Sequence, residues 1–271
     1  MSKVAIIGCG AIGSTIAKAI DSGLVKAELI AIYDIVIEKC VDLSRSMMRM
    51  KPLICTDLEC LLINKPDIVV EAASQEAVKS HVPYILEKGV DTVVLSVGAL
   101  LDPQVMERIR EASVKGRSRL FVPSGAVCGI DGLKALSIVG FKKVKLITRK
   151  NVKSVDEKSL LNLGYKPSDI TDSTVVFKGS AEEAVVKLPF NINVAATLKL
   201  ATDSEVEVEF IVDPKTPRTV HELIAESETS RIRVIVENVP HPDNPKTSYL
   251  AALSAISLLK RLVEERVVIG T

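Results

Sequence analysis

Short, almost wholly apolar segments alternate with amphipathic segments through residues 1–123 of the chain. The apolar segments, such as "KVAII" and "DIVV", have the length and the β-branched residues of buried strands. Between them, apolar residues recur every three or four positions, as at Ile12, Ile16, Ala19 and Ile20, which predicts helices. Buried strands that alternate with helices predict a parallel, doubly wound sheet with helices on both faces.

Beyond residue 123, a strict alternation of apolar and polar residues predicts an antiparallel sheet. "VEVEF" and "RIRVIVE" would each form a strand with one dry and one wet face. "INVAATLKLA" and "TVHELIAE" are predicted as helices between the strands. The pattern therefore predicts an α/β domain over residues 1–123 and an α+β domain with a mostly antiparallel sheet over 124–244. A final helix over about 245–265 is expected to pack back on the first domain.

Composition excludes several classes of function. The net charge is +1 and aromatic residues make up 3% of the chain, which disfavours nucleic acid as a partner. The chain shows neither a signal peptide nor an apolar run long enough for a membrane span, so a cytoplasmic protein is expected. The five cysteines are odd in number and lack a C-x-x-C pair. They are therefore predicted to be free thiols, and no metal site is expected.

The segment "GCGAIG" carries the spacing of a dinucleotide-binding loop, G-x-G-x-x-G. Gly8, Gly10 and Gly13 follow a predicted strand and open a predicted helix, which is the context that makes this motif specific. Gly10 would let the backbone approach a pyrophosphate at the positive end of the helix. Asp34 ends the second strand, where an acid binds the ribose 2′-hydroxyl and disfavours a 2′-phosphate. A Rossmann domain that binds NAD is therefore predicted, with NADP possible because Lys39 and Arg45 are nearby.

Small residues end the next two strands of the predicted parallel sheet. "EAASQ" and "SVGAL" would leave room for the nicotinamide half of the cofactor, although tight packing explains small residues equally well. The predicted cofactor contacts of this domain are Gly8, Gly10, Ala11, Ile12, Gly13, Asp34, Ala73, Ser74, Ser96 and Gly98.

Hydride transfer to a nicotinamide also requires a group that moves a proton, and histidine is the usual choice near neutral pH. The chain has three histidines. His81 falls in the middle of a predicted helix, and His241 precedes a proline in a predicted turn. His221 lies in a short predicted helix of the second domain. Spacing alone leaves His221 open between a catalytic role and that of an ordinary helix residue.

Three polar segments are candidates for holding an anionic substrate. "PSGAVCGIDG" offers loop N–H groups at Ser124 and Gly125. "FNINVAAT" places Asn191 and Asn193 before a helix, where they would cap it or bind cofactor or substrate. "HPDNPKTSYL" brings Lys246, Thr247 and Ser248 to a predicted helix start, where capping explains them equally well. The predicted substrate-binding residues are Ser124, Gly125, Asn193, Lys246, Thr247 and Ser248.

These motifs together resemble the L-aspartate dehydrogenase family over essentially the whole chain. The resemblance rests on "GCGAIG", "SVGAL", "PSGAVCGIDGLKA", "FNINVAATL", "RTVHEL" and "HPDNPKTSYLAALSAI", in that order. It implies a catalytic role for His221 and cofactor contacts at Ala126 and Asn191. It also implies a homodimer that forms through the sheet of the second domain.

The implied reaction is the NAD(P)-dependent oxidation of L-aspartate to iminosuccinate, which hydrolyses to oxaloacetate and ammonia or feeds quinolinate and NAD biosynthesis. Two other functions fit the residues. A cysteine-dependent aldehyde dehydrogenase would use Cys128 as its nucleophile beside His221. A non-enzymatic regulator would sense NAD with its first domain and bind a protein with its second.

Overall fold

The computed structural model describes residues 1–188, 192–264, 266, 267 and 269, which divide into two compact units. Unit 1 comprises Met1–Pro123 and Ala252–Val268, and unit 2 comprises Ser124–Ala251 and Ile269–Thr271. No helix within the described residues combines the length and the apolar character that crossing a membrane requires.

Unit 1 is built on a six-stranded parallel sheet. Its strands are β1 (Ser2–Ile7), β2 (Ala27–Tyr33), β3 (Leu53–Cys55), β4 (Ile68–Glu71), β5 (Asp91–Val94) and β6 (Leu120–Phe121). The strand order β3-β2-β1-β4-β5-β6 is that of a Rossmann fold, so the predicted doubly wound sheet is confirmed. Chain order reverses between β1 and β4, where such sheets bind their ligands.

Helices cover both faces of this sheet. They are α1 (Ala11–Asp21), α2 (Ile37–Ser46), α3 (Leu58–Ile63), α4 (Gln75–Glu87) and α5 (Pro103–Gly116). Successive residues of β1 serve opposite faces, because side chains alternate along a strand. Val4 and Ile6 join the buried cluster around Ile16, whereas Ala5 and Ile7 join the cluster around Leu61.

Unit 2 contains a five-stranded sheet and a short hairpin. Its strands are β7 (Lys143–Lys150), β8 (Thr174–Ser180), β9 (Glu207–Val212), β10 (Thr219–Glu226), β11 (Arg231–Asn238), β12 (Pro240–His241) and β13 (Asn244–Ser248). Its helices are α6 (Ile130–Ser137), α7 (Glu157–Asn162), α8 (Ala181–Lys187) and α9 (Asn193–Thr202). The order β11-β10-β7-β9-β8 is antiparallel except for the parallel pair β7–β9, as the predicted mostly antiparallel sheet requires.

The final helix, α10 (Tyr249–Val263), begins later than the sequence pattern predicted. Asn244–Ser248 forms β13 of the hairpin and pairs with β12, so these residues do not start a helix. Within unit 1, Ala255, Ile256 and Leu259 of α10 belong to the buried cluster that contains β1 and α1. The apolar stripe of α10 therefore has a buried partner surface.

The prediction of a helix around His221 is wrong, because "TVHELIAE" is strand β10. Burial alternates along it with period two, and β10 is hydrogen-bonded to β7 on one side and to β11 on the other. Val220, Leu223 and Ile224 also fit a helical stripe, so the apolar pattern alone was ambiguous. Sheet neighbours distant in sequence decide the outcome.

The prediction that all cysteines are free thiols is also wrong. Cys55, at the end of β3, forms a disulfide with Cys60 in α3, and their Cα atoms lie 5.5 Å apart. The tight connection between β3 and α3 brings the pair together. Cys9, Cys40 and Cys128 carry free thiols.

Candidate functional site

The glycine loop between β1 and α1 has the geometry of an anion cradle. Gly8 adopts φ +97°, and a Cβ there would lie 2.6 Å from the backbone of Ala72. A Cβ at Gly13 would overlap the carbonyl of Gly8. A Cβ at Gly10, by contrast, would have no described atom within 4 Å. Gly8 and Gly13 thus serve the fold, whereas Gly10 leaves open space at the positive N-terminus of α1.

This difference predicts opposite results for two glycine substitutions. Gly10→Ala should keep the stability of the protein. The added methyl group would clash with the bound cofactor at a cost of ~1–3 kcal/mol, which should raise the KM for the nicotinamide cofactor about 10- to 100-fold. Gly13→Ala should lower the free energy of unfolding by about 3 kcal/mol, because backbone must move. Thermal melts and cofactor titrations of both variants measure this. A Gly10→Ala variant with unchanged cofactor affinity contradicts the assignment.

Asp34 is held at the end of β2 by two backbone hydrogen bonds. Its Oδ2 accepts from Cys9 N at 2.8 Å, and its Oδ1 accepts from Val36 N at 2.9 Å. The carboxylate lines a cavity of about 320 Å³ that also includes Lys39. Other residues lining this cavity include Gly8, Gly10, Tyr33, Ala73, Ser74, Ser80 and His81. Gly8, Gly10, Asp34, Ala73 and Ser74, all predicted cofactor contacts, therefore share one cavity.

Glu71 organises the loops that follow β4 and β5, although the sequence reasoning did not single it out. Its Oε1 accepts from Ala73 N, Ser74 N and Ser96 Oγ at 2.8, 3.0 and 2.8 Å. Its Oε2 accepts from Leu95 N at 3.3 Å and Ser96 N at 3.0 Å. Burial raises the pKa of Glu71, and the donated hydrogen bonds oppose that shift. The carboxylate fixes three predicted cofactor contacts, Ala73, Ser74 and Ser96.

Replacing Glu71 with Gln should loosen both loops. An amide puts an NH₂ donor where the carboxylate accepts from N–H groups, so at least one buried donor loses its partner. The free energy of unfolding should fall by about 1–3 kcal/mol, and cofactor affinity should fall with it. Guanidinium unfolding measures this, with Glu111→Gln on the exposed surface of α5 as the matched control. Equal stability of the two variants would contradict the role of Glu71.

One face of the sheet in unit 2 changes from apolar to polar at the end of β7. Val144 and Leu146 are buried on this face, and Thr148 and Lys150 follow on the same face at the same spacing of two. His221 of β10 is the registered neighbour of Thr148. The same face also carries Thr219 and Asn238, both buried polar residues at the ends of β10 and β11. A buried polar cluster on an apolar sheet face is a candidate site.

His221 is buried and hydrogen-bonded within this cluster. Its Nδ1 lies 3.0 Å from Thr148 Oγ1, and 3% of the residue is exposed. Burial, and secondarily the positive charge of Lys150, lowers the pKa of His221 to about 3. Burial also lowers the pKa of Lys150 to about 8. Near neutral pH the cluster therefore pairs a neutral imidazole with an ammonium.

The predicted glycine-rich loop after residue 123 is anchored to this same unit. Gly125 adopts φ +71°, and Ala126 is buried with its carbonyl accepting a hydrogen bond from Asn238 Nδ2 at 3.0 Å. Ser124 and Gly125 are half-buried. Asn238 thus links the position of Ala126 to the end of β11. Part of the predicted loop, from Ile130 onward, is helix α6 instead.

The remaining predicted substrate contacts lie in different surroundings from those expected. Lys246 is in β13, and its exposed ammonium lies 3.8 Å from Asp156 Oδ1. The Thr247 hydroxyl accepts from Asn244 Nδ2 at 3.3 Å, and Ser248 is buried. β13 ends at Ser248 and α10 begins at Tyr249, so these three residues lie in a strand immediately before the start of the helix.

Of the two predicted asparagines, Asn193 lies within the described residues. Asn193 is the first residue of α9 and Ile192 holds the N-cap position, so Asn193 does not take the capping role, which was one of the roles left open for it. Asn191 lies outside the described residues. His241, expected in a turn, is buried in β12, where its ring packs edge-on against Tyr249 at 5.2 Å between centroids.

Sequence reasoning missed Thr148, Lys150 and Asn238 as members of the polar cluster. A signal for the first two was present in "KVKLITRK", where every second residue from Val144 runs Val, Leu, Thr, Lys. A strand face that packs on an apolar core should be apolar throughout, so a series that ends in threonine and lysine indicates a polar site. Asn238 has no such signal, because its importance depends on a contact with Ala126, 112 residues away.

Comparison with known proteins gives consistent matches over the whole chain. The family model described as "Aspartate dehydrogenase, C-terminal" matches residues 131–262, and that described as "Homoserine dehydrogenase, NAD binding domain" matches residues 8–123. L-aspartate dehydrogenase of Methanosarcina barkeri is 43% identical, covering 100% of both chains. That of Methanothermobacter thermautotrophicus is 44% identical, covering 100% of this chain and 99% of the relative.

Solved structures give the same match in three dimensions. The crystal structure of aspartate dehydrogenase from Thermotoga maritima has a TM-score of 0.78 and 30% identity, with 100% of both chains covered. Myo-inositol dehydrogenase from Lactobacillus casei, at 13% identity, has a TM-score of 0.63 over 98% of this chain and 86% of its own. The second likeness concerns the fold alone.

Proposed function

Because the chain belongs to the L-aspartate dehydrogenase family, we propose that it oxidises L-aspartate to iminosuccinate with NAD. The buried pair of His221 and Thr148 carries this proposal, since it places a neutral imidazole at the polar end of a sheet face. In water, iminosuccinate hydrolyses to oxaloacetate and ammonia. Delivery of the imine to quinolinate and NAD biosynthesis is part of the proposal.

The residues of unit 1 fit a nicotinamide dinucleotide. Gly10 leaves space at the N-terminus of α1 for a pyrophosphate, and Asp34 supplies a carboxylate for a ribose hydroxyl. Ala11, Ile12 and Gly13 form the first turn of α1, and Ser96 and Gly98 follow β5. The negative charge of Asp34 favours NAD over NADP. Lys39 lines the same cavity, and its positive charge favours NADP instead. When bound, NAD accepts a hydride from the substrate Cα.

His221 is proposed to accept a proton from the substrate amine or from the water that attacks the imine. If Nδ1–H donates to Thr148 Oγ1, the Nε2 lone pair is available for that proton. Thr148 then fixes both the tautomer and the ring orientation. A neutral imidazole is the form that a proton acceptor requires, and burial of His221 maintains it.

The other proposed contacts are loop and strand groups of unit 2. Ala126 and Asn191 are proposed to contact the cofactor. Ser124 and Gly125 are proposed to offer donors to the substrate carboxylates, together with Asn193, Lys246, Thr247 and Ser248. Lys246 would first have to leave its ion pair with Asp156.

A homodimer is proposed to form through the opposite face of the sheet in unit 2. That face carries Ile147, Ile224 and Ile235, all of which are partly or largely exposed. Apolar side chains on a sheet face favour association with a second copy. Sedimentation of the wild-type chain and of Ile235→Lys tests this, since the variant should shift toward the monomer.

The activity itself is tested by following NADH absorbance with purified protein, NAD and single amino acids at neutral and alkaline pH. Aspartate should be oxidised in preference to glutamate, asparagine and alanine. The absence of any NADH signal from folded protein would contradict the proposal and favour the non-enzymatic NAD-sensing function. Cys128 is an exposed loop thiol, so Cys128→Ala should retain activity. In a cysteine-dependent aldehyde dehydrogenase, the same substitution would remove the nucleophile and abolish activity.

A further inference from the structure

Lys150 is a buried cation on the sheet face that carries His221. Only 6% of the residue is exposed, and it ends β7 two residues after Thr148, the hydrogen-bonding partner of His221. Its ammonium donates to the main-chain carbonyl of Lys246 at 3.4 Å. Lys150 and His221 lie on the same sheet face, because His221 is the registered neighbour of Thr148 and side chains on one face recur at every second residue. Lysine is among the residues that proteins bury least often.

Among the described residues, three elements that contribute to the surroundings of Lys150 are β9, β10 and β13. β10 contributes His221, β9 contributes the registered neighbour Val212, and β13 contributes the Lys246 carbonyl. The Lys246 ammonium is directed to Asp156 at 3.8 Å. The carboxylate of Asp213, which follows β9, pairs with Arg149 at 2.9 Å.

We propose that the Lys150 ammonium binds one of the two carboxylates of the amino-acid substrate beside His221. This inference rests on the proposed function, because it takes His221 as the proton acceptor. A dicarboxylate carries two negative charges and gains most from a cation that is already desolvated. The bound carboxylate would also offset the positive charge that acts on His221, so that the imidazole becomes a better base when substrate is present.

Lys150 is assigned to binding and not to proton transfer because of its charge near neutral pH. With a pKa of about 8, the side chain is mostly an ammonium at pH 7, and an ammonium cannot accept a proton. A carboxylate placed against it would stabilise the charged form further. Aspartate binding should therefore weaken as the pH rises well above 8, where the amine loses its charge.

The test compares Lys150→Met and Lys150→Arg with Lys143→Met. Lys143 lies on the same strand, on the opposite face, and is exposed. Lys150→Met should fold, since an apolar side chain suits the buried position, and should raise the KM for aspartate about 30-fold or more, as loss of a buried charge pair does. The kcat should change by less than about tenfold, and the KM for NAD should not change. Lys150→Arg should recover part of the aspartate affinity.

A binding measurement separates failure of this inference from failure of the proposed function. Succinate, a dicarboxylate that lacks the amine, should raise the Tm of the wild type and of Lys143→Met but not that of Lys150→Met. Butyrate is the monocarboxylate control. Succinate stabilisation that depends on Lys150 supports the inference even if aspartate is not oxidised. Equal stabilisation of wild type and Lys150→Met, or a loss of kcat with an unchanged aspartate KM, would overturn it.

Discussion

His221→Ala should lower the kcat for aspartate oxidation about 10³-fold, within the ~10²–10⁴-fold range of a lost acid–base group. The affinity for NAD should stay within about threefold, because the groups proposed to bind the cofactor's pyrophosphate and ribose lie in unit 1. Pre-steady-state mixing and cofactor titration by fluorescence measure the two quantities separately. Added imidazole should restore part of the activity, since the substitution leaves a ring-sized space beside Thr148.

Two further measurements make the His221 result specific. Cys128→Ala changes another residue of unit 2 and should keep the wild-type kcat. The pH–rate profile of the wild type should show no inflection near the ordinary imidazole pKa of about 6.5, because burial lowers the pKa of His221 to about 3. A His221→Ala variant with near-normal kcat would leave His221 as a buried strand residue without a catalytic role.

Asp34→Asn should shift cofactor preference from NAD toward NADP. The carboxylate repels a 2′-phosphate, and a like-charge contact of this kind costs several kcal/mol. The ratio of kcat/KM for NAD to that for NADP should therefore fall by about 10²-fold or more. Once Asp34 is neutral, Lys39 in the same cavity remains as a cation that attracts a 2′-phosphate.

The control for the Asp34 result concerns loop stability. The carboxylate accepts from both Cys9 N and Val36 N, so the amide retains at most one of these hydrogen bonds in its original form. A thermal melt should show a modest loss of stability in Asp34→Asn. Adding Lys39→Met to Asp34→Asn should remove the gain with NADP without restoring NAD. An unchanged cofactor ratio in Asp34→Asn would show that Asp34 acts only as a loop anchor.

The sequence predicted unit 1 well because its signals are local. Apolar strands, helix periodicity and the spacing of Gly8, Gly10 and Gly13 all lie within short segments. His221 was assigned to a site by family resemblance, while its strand was mistaken for a helix. "TVHELIAE" fits both periods, and the choice depends on β7 and β11, which pair with it from distant positions.

The parts that were missed depend on contacts across long stretches of chain. Lys150 becomes a candidate only once β10 lies beside β7 and brings His221 to the same face. Asn238 has a role through its hydrogen bond to the Ala126 carbonyl. Glu71 has a role through the N–H groups that donate to it, which come from up to 25 positions later in the chain. By contrast, Asp102 caps α5 by accepting from Gln104 N and Val105 N, so this feature depends only on neighbours in sequence.

Glu71 holds the two cofactor loops mainly through their main-chain groups, so the position of these loops depends little on the side chains that they carry. Four of the groups that donate to its carboxylate are main-chain N–H groups, of Ala73, Ser74, Leu95 and Ser96, and these are present whatever side chain is attached. Substitution of the exposed residue Ala73 should therefore leave in place the hydrogen bond that its main chain donates to Glu71. The side chain at this cavity-lining position can thus be exchanged, and cofactor preference tuned, while the loop keeps its backbone anchor.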